Sequence, residues 1–160
     1  LWDIEAHLTD TKAYSFDSSV RGTIQPGEPI HDMWIRLTVD QDFVVRHAEA
    51  ATDSSPFAIC PAVTSSFTRL EGVSIGRGWS RAVRERMGGV QGCTHLGELV
   101  RAMATVAFQT IVSIRQRQEK EPTTRAGAKP GRPPQLDSCH AYASDSEVVR
   151  KHWPNFYTGE

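Results

Sequence analysis

The sequence predicts an α+β fold, an antiparallel β-meander packed against one long amphipathic helix, with shorter helices around them. Three observations carry this. Residues 2–9 alternate, with Trp2, Ile4, Ala6 and Leu8 on one side and Asp3, Glu5, His7 and Thr9 on the other, the period of a half-buried strand. Residues 30–40 alternate again, Met33, Ile35, Leu37 and Val39 against Asp32, Trp34, Arg36 and Thr38. From Leu96 the apolar residues fall at Leu96, Leu99, Val100, Met103, Val106, Ala107, Ile111 and Ile114, which is helical spacing with a stripe wide enough to face a core.

Each element has its own signals. Residues 16–29 carry Ser, Gly and Pro and read as a loop, with Gln25-Pro26-Gly27-Glu28 as its tight turn. Asp40-Gln41-Asp42 marks a hairpin turn, and Phe43 to Ala50 is the returning strand. A two-residue turn at Gln41-Asp42 sets Trp34 opposite Glu49 and Arg36 opposite His47 on the polar face. A three-residue turn sets Glu49 opposite Met33 and His47 opposite Ile35, because a one-residue slip exchanges the faces. The first register is favoured, since it avoids burying an unpaired carboxylate. Ala62, Val63, Phe67 and Leu70 suggest a helix beginning after Cys60, and Trp79, Val83 and Met87 a short basic one. Gly88, Gly89 and Gly92 then reverse the chain before the helix of residues 94–118.

Residues 119–135 hold Pro122, Pro130, Pro133 and Pro134 with Gly127 and Gly131, the composition of a flexible linker. Beyond it, Ser144 with Glu147 fits a capping box, and Val148, Val149 and Trp153 form a small apolar face before Pro154. One domain over residues 1–160 is expected, with 136–160 packing back on it.

Composition excludes some functions. The 18 basic and 19 acidic residues nearly cancel, so no overall field recommends nucleic acid or an anionic membrane surface. No apolar run reaches the roughly 20 residues of a membrane span. Three cysteines at irregular spacing argue against a secreted disulfide framework, and a reducing cytoplasm is expected. The chain opens inside a strand at Leu1, so a preceding segment is expected to be missing.

Candidate chemistry gathers at the start of the long helix. Cys93 sits where unpaired N–H groups and the helix dipole favour a thiolate, and His95 lies two residues on. The alternative is a packed cysteine and a hydrogen-bonded histidine. A thiolate there would be alkylated before Cys60 or Cys139. Glu49, between Ala48 and Ala50, and His31, beside Ile30, are polar where their stretches do not require it. The expected site therefore comprises Cys93, His95, Glu49 and His31, in a pocket between the sheet's polar face and the helix start, acting on a small-molecule ligand. Asp3, Glu5, His7, Asp32 and Trp34 extend that polar face. Cys139-His140 repeats the Cys/His pairing, but adjacent residues do not bend easily to one metal, and zinc motifs leave about two to four residues between ligands. A zinc site from His31, Cys93 and His95 with a carboxylate is a further alternative. A non-catalytic ligand-binding or interaction module uses the same cysteines structurally. The arginines at 77, 81, 84 and 86 read as the solvated face of a helix. Cofactor and oligomeric state are left open.

Several motifs together resemble a bacterial family known as domain of unknown function 2889. They are Leu1-Trp2-Asp3-Ile4-Glu5, Ile30-His31-Asp32-Met33-Trp34, Glu49-Ala50-Ala51-Thr52-Asp53 with Cys60-Pro61, and Gly92-Cys93-Thr94-His95-Leu96. Leu136 to Tyr157 resembles its C-terminal segment. Members usually carry a short basic segment before the first strand, which this chain lacks. The resemblance implies a bacterial cytoplasmic protein and supplies no activity.

Overall fold

A computed structural model describes residues 1–119 and 131–160, which belong to two compact units, Leu1–Glu119 and Lys120–Glu160. In the first unit, β1 (Trp2–Thr11), β4 (Pro29–Val39) and β5 (Val45–Ser54) form an antiparallel sheet in the order β1-β4-β5. The core face of that sheet carries Ile4, Met33, Ile35, Leu37, Val39, Val45 and Ala48, all buried. Across it lies α2 (Thr94–Glu119), which contributes Leu96, Val100, Met103, Ala107 and Ile111 to the same cluster. This is the α+β arrangement that the alternation and the helical stripe predict. The stripe is narrower than expected, because Val106 points to solvent and Leu99 is only half-buried.

The loop after β1 holds an element that the sequence reading missed. Phe16–Ser18 (β2) and Gly22–Ile24 (β3) pair as a small hairpin. Strands of three residues are too short to show a period, and their Ser and Gly residues read as loop. The tight turn beyond it forms as expected: Glu28 N–H donates to the Gln25 carbonyl at 3.0 Å, and Gly27 takes φ +81° after Pro26.

The β4–β5 register needs a correction. Arg36 pairs with Glu49, Trp34 with Ala51 and Thr38 with His47, so the strands sit two residues from the favoured alignment. The faces survive, since two is the side-chain period, and Glu49 stays out of the core. The cause is a longer loop. Asp40 N–H donates to the Val44 carbonyl, and Phe43 adopts φ +62°, the third position of a three-residue hairpin loop where glycine is usual. A second irregularity follows at Thr38/Val39. The Asp40 carboxylate holds the loop by accepting from the Asp42 and Val44 N–H groups. The Val44 bond does most to keep its pKa below the ordinary carboxylate range, outweighing burial, with Arg46 adding to it.

Two further segments close the core. Cys60–Leu70 is helical as expected but winds as 3-10 helix, and it buries Phe67 and Leu70 completely. In α1 (Trp79–Met87) the expected Trp79, Val83 and Met87 are the buried residues. The Trp79 indole N–H donates to the Val100 carbonyl at 3.2 Å, fastening α1 to α2.

The second unit has one short α-helix among its described residues. Its helix α3 (Glu147–His152) is capped by Ser146, whose hydroxyl accepts from Val149 N–H at 3.2 Å. Ser144, the expected cap, instead donates its N–H to Asp137. Tyr142 and Trp153 pack their rings 5.2 Å apart. Residues 120–130 of the expected linker lie outside the described residues.

Candidate functional site

The glycine-rich approach to α2 is a matter of space. A Cβ on Gly88 would lie 2.3 Å from the Arg84 carbonyl oxygen, and one on Gly92 would lie 2.2 Å from that of Met87. Only glycine permits so tight a reversal. It delivers Cys93 to the helix start, where its carbonyl accepts the N–H of Gly97 at 2.8 Å as the first helical bond. The half-buried Cys93 side chain packs against the apolar cluster.

His95, in the first turn of α2, meets His31 from β4. Their ring centroids are 4.1 Å apart and the planes are tilted by 40°. His31 is odd-numbered like Met33 and Ile35, so it extends the helix-facing side of the sheet, and its side chain is 13% exposed. Opposite it on β1 stands Asp10. One oxygen of Asp10, Oδ1, accepts both the His31 backbone N–H at 2.7 Å and ring Nδ1 at 2.9 Å. Burial raises the Asp10 pKa, but the backbone bond, the ring bond and the charges of His31 and His95 outweigh it and hold the carboxyl below its ordinary value. With a carboxylate as acceptor, Nδ1 carries the hydrogen and Nε2 is left as the basic nitrogen. Thr52, paired with Met33 next along the strands, has a buried hydroxyl with no hydrogen-bond partner among the described residues.

Glu49 lies on the other side of the sheet. There Arg36 bridges Glu5 and Glu49 at 2.7 and 2.9 Å. The four candidates therefore divide, with His31 and His95 meeting under the helix start, Cys93 just before it, and Glu49 away from all three. The expected pocket between the polar face and the helix does not form, because α2 covers the apolar face. Asp10 was missed, although a signal existed: it shares the parity of Ile4, Ala6 and Leu8, so a carboxylate stood at the end of an apolar face. Cys139 and His140 belong to the second unit. Among the described residues, no group of three or more His, Cys, Asp or Glu side chains is gathered to hold a metal.

Access reorders the expected thiol reactivity. Cys139 is exposed, whereas Cys60 and Cys93 are partly buried. Iodoacetamide at neutral pH is expected to label Cys139 first, with Cys93 catching up only under denaturant. Mass spectrometry of partly labelled protein checks the order, and Cys93 reacting first in the native state would restore a thiolate at the helix start.

A three-stranded sheet under one long helix, with a carboxylate and two imidazoles where they meet, defines a compact α+β unit with a polar corner. The chain belongs to the family of proteins of unknown function DUF2889, whose model matches residues 1–109. The match takes in the whole sheet and most of α2, and Leu136 to Tyr157 lies beyond it. No curated protein and no solved structure matches the chain. Among the described residues, no helix is long and apolar enough to cross a membrane.

Proposed function

We propose that the first unit performs general acid–base chemistry on a small molecule at the Asp10–His31–His95 corner. His31 transfers the proton through Nε2, Asp10 fixes its tautomer and orientation, and His95 lines the approach from the helix side. The observation that carries this reading is the double grip of one Asp10 oxygen on His31, through backbone N–H and ring Nδ1. A carboxylate on one imidazole nitrogen fixes the tautomer and locks the ring, which is what a positioned base needs. The positive end of α2, with His95 in its first turn, favours a substrate that is anionic or becomes so. The buried Thr52 hydroxyl, opposite Met33 and so two residues along β4 from His31, is a natural partner for a bound water or ligand.

The reading moves the chemistry from the thiol to the imidazoles, with Cys93 as the residue that starts the helix. It is tested with p-nitrophenyl acetate, an activated ester that reports on nearby imidazole. The wild-type protein should exceed an equal concentration of free imidazole, and His31→Gln should lower the rate by roughly 10²–10⁴-fold, the usual contribution of a positioned base. A wild-type rate no greater than that of imidazole, or one unchanged by His31→Gln, ends the proposal.

A further inference from the structure

We propose that the open face of the β1–β4–β5 sheet holds a second site, separate from the imidazole corner, that binds a guanidinium group. The face contains a depression of about 250 Å³ bordered by Glu5, Trp34, Arg36, Glu49 and Ala51. Its shape follows from what stands opposite Trp34 on each side. On β1 the partner is His7, whose ring lies flat on the indole with centroids 3.7 Å apart and planes 9° from parallel. Asp32 pins that imidazole at 2.6 Å. On β5 the partner is Ala51, whose single methyl leaves the space beside the indole unfilled. The result is a rigid, 43% exposed tryptophan, backed on one side and open on the other.

The charge around it selects the ligand. Asp3, Glu5, Asp32 and Glu49 face outward with one guanidinium, that of Arg36, among them. An anion meets repulsion here, and a cation is attracted. Arg36 shows that this surface accepts a guanidinium: it sits between Glu5 and Glu49 and is bonded through Oε1 of each. Glu5, by hydrogen bond and by charge, holds that guanidinium above its ordinary pKa, with Glu49 and Asp3 adding to it. The Arg36 bonds use only Oε1 of each carboxylate, and Oε2 of Glu49 has His47 Nε2 4.0 Å away, beyond hydrogen-bond distance, so both can accept from another donor. A planar guanidinium can stack on tryptophan while its edge meets a carboxylate. An ammonium ion is more strongly hydrated and gives up more on leaving water, so it suits an open depression less well.

The ligand is an alkylguanidine, either a free small molecule or an arginine side chain of a peptide. The test titrates the full chain with butylguanidinium and follows the Trp34 indole N–H by NMR, assigned from its loss in Trp34→Leu. Saturable movement is expected with a dissociation constant on the order of 1 mM, fitting a shallow site. Butylammonium should bind at least about fivefold more weakly, butylurea should not bind, and Glu49→Gln should weaken binding at least about threefold, the loss of one charge-assisted bond. Agmatine and acetyl-Gly-Arg-Gly-amide separate the sources. Tighter binding of the peptide assigns the site to an arginine on a partner chain, and equal or tighter binding of agmatine assigns it to a free molecule. His31→Gln should leave all of this unchanged, so the site stands or falls apart from the acid–base reading. The proposal is overturned if butylurea binds as well as butylguanidinium, if Glu49→Gln has no effect, or if the Trp34 signal does not move.

Discussion

Phe67→Ala is expected to destabilise the first unit by about 3–5 kcal/mol, the usual cost of truncating a buried phenylalanine. Phe67 is fully buried, as are Leu37, Val45, Ala48 and Leu70 of the same cluster. It projects from the 3-10 segment that packs along β5. Removing the ring leaves a cavity that a sheet on one side and helices on others cannot collapse to fill. Equilibrium urea unfolding measures the change, and an unchanged slope would show that the unfolded state is the same. A loss below about 1 kcal/mol would mean that Phe67 does not reach the core, and that Cys60–Leu70 is a surface segment.

That segment shows how far the pattern of apolar residues carries. Phe67 and Leu70 were legible as core because their spacing needs only local geometry. So were Trp79, Val83 and Met87, and the two strand alternations. The kind of helix was not legible, since the four apolar residues Ala62, Val63, Phe67 and Leu70 are too few to separate a three-residue from a 3.6-residue period. The β4–β5 alignment failed for a different reason. It depended on Phe43 adopting a left-handed conformation, which bulky residues rarely do, and no residue type announces it. The parity argument from Glu49 still chose the right face, because burial of a lone carboxylate is costly whatever the turn.

The candidate corner was half legible. His31 stood out as a polar residue beside an apolar stretch and His95 as the neighbour of Cys93 at the helix start, and the fold brings them together. Asp10 offered only its parity with Ile4, Ala6 and Leu8, because its value lies in facing His31 across two strands separated by the β2–β3 hairpin. Long-range pairing of that kind is set by the global fold rather than by local sequence. Glu49 was separated from the others by the same global fact, that α2 covers the opposite face.

Asp10→Asn tests the corner most sharply, and a loss of roughly 10²–10⁴-fold in His31-dependent turnover is expected, comparable to that of His31→Gln. Asparagine keeps the size of the side chain and retains one carbonyl oxygen for the His31 backbone N–H. It removes the charge, and its amide can donate to Nδ1, turning the imidazole to the tautomer with hydrogen on Nε2 and no free base where the substrate would be met. The loss of a positioning carboxylate by this route reaches about 10⁴-fold in the serine-protease triad. The pH dependence has a definite sign. The folded pKa of Asp10 is depressed, so its stabilising contribution is complete above the unfolded carboxyl value of about 3.9 and is lost as pH falls through the lower folded value. The stability gap between wild type and Asp10→Asn should thus close as pH falls below the ordinary carboxyl range. Long-range nitrogen–proton NMR supplies a readout that a merely structural role would not move: hydrogen on Nδ1 of His31 in the wild type, on Nε2 in the variant. If Asp10→Asn leaves both the tautomer and the turnover as they were, the double grip is a turn-closing contact, and the acid–base proposal falls.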